Sequence, residues 1–195
     1  MLAALPNIPT HIALAFGIWK TGACYVPVSN RAPQRNLMEI CACVSPALVI
    51  TNRKKPDGYP GLSTAELKTL CAGCPADLPP DVLAIPNLAN CSGGTTGKTK
   101  VIEQDMPAGE SDEGLRTWFA VSGMRFEMRQ LLAGPLFHGA PHSAAFNGLY
   151  CGNTIVMPAK LDAETIVRLI KKYRIEYVQI CLLYTSPSPR DRSVS

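Results

Sequence analysis

The hydrophobic positions of this chain switch repeatedly between two periods. From Ile8 to Lys20 the apolar residues Ile8, Ile12, Ala15, Phe16 and Trp19 recur at helical spacing, with Pro9 early and Gly22 just beyond, which predicts a helix. Cys24–Val28 (CYVPV) is a short β-type run, and Pro27, lacking an N–H for a ladder, marks it as an edge or a strand end. Helical period returns from Gln34 to Val44 through Leu37, Met38, Ile40, Cys41 and Val44. Pro46 closes that helix, and Ala47–Ile50 (ALVI) reads as a buried strand. The same grammar recurs later in the chain. Ala144–Tyr150 is a predicted helix closing on Gly152, and Thr154–Met157 (TIVM) a strand. Asp162 caps a helix to Tyr173, with Ile166, Leu169 and Ile170 inside and Lys171 and Lys172 in its last turn, and Glu176–Ile180 (EYVQI) closes the copy. Two helix–strand–helix–strand copies at nearly equal spacing predict an α/β fold: a mostly parallel sheet with flanking helices. The copies share architecture, not sequence.

Between the copies, Pro56–Pro86 is rich in Pro and Gly and reads as a surface connection with one short helix at Thr64–Leu70. Val82–Ile85 and Val101–Ile102 read as strands, and a further strand is expected within Glu127–Leu136 through Met128, Leu131 and Leu132. Met106–Met124 is too weakly patterned to assign. The last fourteen residues, Leu182–Ser195 (LLYTSPSPRDRSVS), have no period and a Ser/Pro/Arg composition unlike the rest. They resemble the translation of sequencing-adapter read-through and are expected to be an unstructured tail, leaving 1–181 as one partial domain.

Composition narrows the class. The chain has 195 residues, 47% hydrophobic and 17% charged, with mean hydropathy +0.08, which excludes a solvated, disordered chain and supplies a sizeable core. The longest apolar run, Ile12–Trp19, is far short of the ~20 residues of a membrane helix. The N-terminus MLAALPNIPT lacks the basic region of a signal peptide, so a cytoplasmic chain is expected. Net charge is +4, but the tightest basic runs (Arg53, Lys54, Lys55 and Lys171, Lys172, Arg174) carry no interleaved aromatics and read as solvated faces, so no nucleic-acid partner is expected. The eight cysteines sit largely in apolar segments such as Glu39–Val44, as reduced thiols do. Cys71-x-x-Cys74 has no second pair, and His11, His138 and His142 are not spaced as a finger, so no metal site is expected.

One stretch carries chemistry: Asn90–Lys100, NCSGGTTGKTK. Three glycines, three threonines, one serine and two lysines fall within the nine residues Ser92–Lys100. Glycine lets backbone N–H groups turn inward around an oxyanion, the hydroxyls of Ser92, Thr95 and Thr96 add donors, and lysine supplies positive charge. That is what holding a polyphosphate requires. A Walker loop almost fits, with Gly97, Lys98 and Thr99 in register, but its first glycine would fall on Ser92. A Walker loop must also open a helix, whereas VIEQDMPAGE follows Lys100, with Pro107 and Gly109 breaking any helix. Strand–loop–strand is the better description. A Walker-type NTPase or kinase, and a non-catalytic ATP-binding fragment, remain as alternatives.

SGGTTGKTK (Ser92–Lys100) resembles the phosphate-loop signature of the adenylate-forming enzymes, the superfamily of acyl-CoA synthetases, firefly luciferase-type enzymes and nonribosomal adenylation domains. Three further segments are similar to that family's landmarks in the same order: Leu5–Pro33, Gly134–Met157 with its Pro-Leu-Phe-His stretch, and Leu161–Gln179. The wording around the loop and GPLFHGAPHSAAFNGL looks similar to bacterial bile acid coenzyme A ligases. The resemblance implies activation of a carboxylic acid by ATP to an acyl-adenylate, followed by transfer to coenzyme A. It implies that Ser92, Gly93, Gly94, Thr95, Thr96, Gly97 and Lys100 hold the β- and γ-phosphates, with Lys100 the closing, catalytic lysine. Thr99 stands where the family usually has proline, and Val101 where it often has glycine. His138 matches the position lining the acyl pocket near the reacting carboxylate, with Phe137, Phe146 and Asn147 as further pocket candidates. The family's Tyr-Gly-x-Thr-Glu segment, its ribose-binding aspartate and its C-terminal catalytic lysine have no counterpart here, so Mg2+ ligands are expected elsewhere. The 195-residue chain alone is expected to be inactive and not to fold as a robust unit. Oligomeric state leaves no signature.

Overall fold

The computed structural model describes residues 1–77, 79–93, 99–105, 112–160 and 162–180. The chain divides into two units, Met1–Gly109 and Glu110–Ser195, and each is taken by itself. The tail Leu182–Ser195 lies outside the described residues.

The first unit runs β1 (Leu2–Ala4), α1 (Pro9–Lys20), β2 (Val26–Pro27), α2 (Gln34–Val44), β3 (Val49–Thr51), β4 (Gly61–Leu62), α3 (Thr64–Cys71), β5 (Leu88–Gly93) and β6 (Thr99–Gln104). Four strands form a parallel sheet in the order β2-β1-β3-β4, so α1 and α2 are crossover helices and Pro27 does lie in an edge strand of that sheet. The parallel sheet is thus as expected, but one of its inner strands, β1, was not foreseen. Three residues cannot display a period, yet Leu2, Ala3 and Ala4 are all buried, as an inner parallel strand demands. Leu2, Val26 and Val49 from the sheet join Leu37, Ile40 and Cys41 from α2 in one apolar cluster. α1 and α2 keep their expected bounds because their ends are local: Pro9 occupies the first turn of α1, and Ser45 (φ 42) ends α2 in the left-handed region.

α3 is held differently. It buries no residue, and its start is a capping box in which the Ser63 hydroxyl accepts from the Glu66 N–H and the Glu66 carboxylate accepts from the Ser63 N–H. Lys55 adds an ion pair to Glu66 at 2.9 Å. Hydrogen bonds from Ser63 and Lys55 hold the Glu66 carboxyl down at about 2. The strand expected at Val82–Ile85 is absent: Val82, Leu83 and Ile85 are exposed, and the strand leading to the glycine-rich loop is β5, further along. An apolar run reads alike in a strand and in an extended surface segment, which is why it misled.

The second unit runs α4 (Asp112–Ser122), β7 (Arg129–Leu131), α5 (Gly139–Tyr150), β8 (Thr154–Val156), α6 (Ala163–Tyr173) and β9 (Tyr177–Val178). β7 is the centre of a parallel β8-β7-β9 sheet, so this unit too is built from two β-α-β crossovers. α4 fills part of the unassigned region. α6 begins where Asp162 predicts: its carboxylate accepts from the Thr165 N–H at 2.8 Å, and Lys160 and Thr165 hold it down at about 2. α5 corrects the expectation of a start at Ala144. It begins at Gly139 with Pro141 inside its first turn, where the ring is tolerated because the first N–H groups of a helix have no acceptor within it.

Candidate functional site

The glycine-rich stretch is carried on an antiparallel hairpin of β5 and β6. The register places Ser92 opposite Lys100 and Gly93 opposite Thr99, so the two ends of the proposed phosphate loop are cross-strand neighbours. Gly94, Thr95, Thr96, Gly97 and Lys98 lie outside the described residues, and of Ser92, Gly93 and Thr99 only the backbone is described. Lys100 is exposed. The strand continuing from Thr99 to Gln104 is decisive against a Walker loop, which opens a helix at that point.

The hairpin is joined to the first unit's sheet through Tyr25. The Tyr25 N–H donates to the Asn87 carbonyl and the Tyr25 carbonyl accepts from the Ala89 N–H, both at 2.9 Å, in a parallel bridge to Leu88. The Trp19 indole N–H donates to the same Asn87 carbonyl at 2.7 Å. Tyr25 is itself fixed from below: its hydroxyl and His11 Nε2 are 2.6 Å apart, and His11 Nδ1 lies 3.1 Å from the Pro6 carbonyl. A carbonyl can only accept, so Nδ1 carries the proton and Nε2 accepts from the Tyr25 hydroxyl. Both rings are fully buried, which pushes the His11 imidazole down to about 4 and the Tyr25 phenol far up. Sequence reasoning missed this support. His11, Trp19 and Tyr25 fall within fifteen residues, but Asn87 is more than sixty residues away, and nothing in their spacing announces the meeting.

In the second unit His138 is the N-cap residue of α5; its N–H donates to the Pro135 carbonyl, and its carbonyl accepts from the His142 N–H, each at 3.0 Å. His138 is exposed and stacks on half-buried Phe137 at 4.5 Å between ring centroids. Phe146 and Asn147 lie on the buried side of the helix, where Phe146 packs on His142 at 4.4 Å. The four pocket candidates therefore fall into a pair at the start of α5, His138 exposed and Phe137 half-buried, and a buried pair deeper along it. Among the described residues no group of three His, Cys, Asp or Glu is placed to hold a metal ion.

α5 is pinned to β7 by buried amides. Gln130 Nε2 donates to the Ala144 carbonyl at 2.8 Å, and Asn153 Oδ1 accepts from the Met128 N–H at 2.8 Å. Gln130 can reach the helix because position 148 is glycine: a Cβ there would collide with Gln130 Oε1. Gly134 serves the same purpose under the helix start, where a Cβ would strike the Pro141 ring.

The first unit is thus a parallel α/β unit carrying a Ser/Gly/Thr/Lys hairpin, and the second places an aromatic–histidine pair at the start of a helix. The chain belongs to the AMP-binding enzyme family, which matches residues 2–181. It is 32% identical over 94 residues to a 2-succinylbenzoate–CoA ligase of Bacillus pumilus (strain SAFR-032), a match spanning 46% of this chain and 18% of that protein. Its fold is similar to the inhibitor-bound N-terminal domain of FACL13 from Mycobacterium tuberculosis, with TM-score 0.80 and 20% identity, over 100% of this chain and 53% of that one. The o-succinylbenzoate CoA synthetase (MenE) of Bacillus subtilis, in complex with AMP, gives TM-score 0.77 and 17% identity over 96% and 52% of the two chains. The same enzyme is known with ATP and magnesium ion. The α/β fold is therefore that of the N-terminal domain of adenylate-forming enzymes, and the chain spans about half the length of these solved relatives.

Proposed function

We propose that this chain contributes the polyphosphate loop and part of the acyl pocket of an ATP-dependent acid–CoA ligase. The observation that carries the reading is the β5–β6 hairpin, which brings Ser92 and Lys100 face to face across the loop and runs on as strand rather than helix. In the first half-reaction the carboxylate attacks the α-phosphate of ATP and pyrophosphate leaves. Ser92 to Gly97 surround the β- and γ-phosphates with N–H and hydroxyl donors, and Lys100 neutralises charge that builds on the leaving group. Mg2+, supplied with ATP, would screen the same phosphates. Its protein ligands are proposed to come from another part of the enzyme. His138 and Phe137 border the acyl group near its carboxylate, with Phe146 and Asn147 shaping the pocket behind them.

The acid is proposed to be bulky, with a bile acid as one candidate on the wording of Gly134–Leu149 and a 2-succinylbenzoate-type aryl acid as the other, on the Bacillus pumilus relative. Coenzyme A is the acceptor in the second half-reaction and the cytoplasm the setting. The 195-residue chain alone is proposed not to form adenylate, since the Tyr-Gly-x-Thr-Glu segment is not among its residues.

The test is acid-dependent ATP–pyrophosphate exchange by the enzyme that carries this sequence in full, with cholate, 2-succinylbenzoate and long-chain fatty acids compared. AMP and pyrophosphate formed one-to-one with acyl-CoA support the reading, and ADP formation would overturn it. Exchange by the 195-residue chain alone would overturn the claim that it is inactive.

A further inference from the structure

The seven described cysteines are all free thiols, and the fold divides them sharply. Cys41 and Cys151 are buried, and Cys24 and Cys91 are half-buried. Burial pushes the Cys24 and Cys41 thiols up, and it carries the Cys91 thiol up to about 11 with Cys43 and Cys41 beside it adding to the effect. The thiolate is the nucleophile in disulfide exchange, so these groups are poor reactants. Cys43, Cys71 and Cys74 are exposed. Of these, Cys71 and Cys74 share one turn. Cys71 is the last residue of α3, Ala72 continues in helical conformation, and the Cys74 N–H donates to the Cys71 carbonyl at 3.1 Å. A four-residue turn closed by that hydrogen bond brings its end Cα atoms within about 7 Å. A disulfide needs Cα atoms about 4.4–6.8 Å apart, a range that the reach of a closed turn overlaps. The Cys74 thiol already points back along the helix, 3.4 Å from the Leu70 carbonyl.

We propose that Cys71 and Cys74 form a reversible redox dithiol that closes to an intramolecular disulfide when it meets a low-molecular-weight disulfide such as oxidised glutathione. The thiolate of one cysteine attacks a sulfur of the oxidant, forming a mixed disulfide and releasing one glutathione thiolate. The thiolate of the other then attacks the protein sulfur of that mixed disulfide, forming the Cys71–Cys74 bond and releasing the second glutathione. Two protein thiols give up two protons and two electrons, and one oxidant disulfide becomes two thiols. The pair sits at the C-terminal end of its helix, not at the N-terminal end where a catalytic dithiol gains from the helix dipole. It therefore acts as a responsive staple and not as an oxidoreductase centre.

The consequence is local order. α3 buries no residue and is fastened at its start by the Ser63–Glu66 box and by Asn52, whose Oδ1 accepts from the Thr64 N–H and hydroxyl at 2.9 Å each. A helix this short without a buried face is marginal, and its far end is the free one. The disulfide ties that end.

The experiment uses the 195-residue chain. It is equilibrated with oxidised glutathione, its remaining thiols are alkylated, and it is cut by a protease acting before aspartate. The fragment Asp57–Ala76 contains Cys71 and Cys74 and no other cysteine. The expected result is that this fragment loses the mass of two hydrogens and resists alkylation, that dithiothreitol reverses both, and that Cys71→Ser or Cys74→Ser abolishes them while Cys43→Ser does not. Amide exchange across 65–72 is expected to slow severalfold on oxidation. Two glutathione adducts on the fragment, two alkylated thiols, or a disulfide joining Cys43 to Cys91 in their place would overturn the proposal.

Discussion

The two units solve the same problem with different chemistry. Each builds a short parallel sheet from β-α-β crossovers, and each must fix one candidate segment onto it. The first fastens its hairpin through aromatic and titratable groups: His11 under Tyr25, and Tyr25 and Trp19 on Asn87 and its neighbours. The second fastens α5 through the amides of Gln130 and Asn153, which do not titrate. Buried polar groups are tolerable in both because they are hydrogen-bonded. Only the first solution, however, is exposed to pH.

The largest expected effect follows from that contrast. His11 ionises near 6.5 in the unfolded chain but only near 4 when buried. Its folded value is lowered, so the unfolded state takes up the proton first. Stability is complete above about pH 6.5, falls as pH drops through the window down to about 4, and then levels off, for a loss on the order of 3 kcal/mol. Urea unfolding from pH 7.5 to 4, followed by fluorescence of Trp19 with Trp118→Phe in the background, checks it. His11→Gln is expected to flatten the curve. Glu66 and Asp162, held near 2, add their own losses only below about pH 4.5, outside this window.

Gly148→Ala tests the amide anchor. It forces Gln130 out of place and is expected to destabilise by about 2 kcal/mol. The slope of stability against pH between 6.5 and 4 is expected to stay unchanged. Tyr25→Phe attacks the first anchor in the same spirit: it leaves buried His11 Nε2 without its donor, for a loss of about 1–3 kcal/mol in urea unfolding at pH 7.5. Trp19→Phe is the mildest. It removes one donor from the Asn87 carbonyl, which still accepts from the Tyr25 N–H, and is expected to lower stability by about 1 kcal/mol.

The helices were the legible part of the fold. α1 and α6 start where Pro9 and Asp162 act on their own neighbours, and α2 stops just before Pro46, and a local cause can be read locally. β1 was illegible because three residues show no period, and Val82–Ile85 misled because exposure decides whether an apolar run is a strand. The start of α5 at Gly139 was hidden because Gly139 and Pro141 carry no helical period, although a proline is tolerated in a helix's first turn. At the candidate site the composition of Ser92–Lys100 was visible at once, whereas the register that sets Ser92 against Lys100 was not. The anchors joining residue 11 to 25 and 130 to 144 and 153 were equally invisible: they depend on how a helix packs back against its strand.

The most direct test of the account is phosphorus NMR of ATP titrated with the enzyme that carries this sequence in full and with its Lys100→Ala variant. The account predicts that the β- and γ-phosphate resonances shift or broaden, and that the variant loses most of that response. An unchanged response in the variant, or no response of the β- and γ-phosphates to the parent enzyme, would contradict a phosphate-holding role for the hairpin.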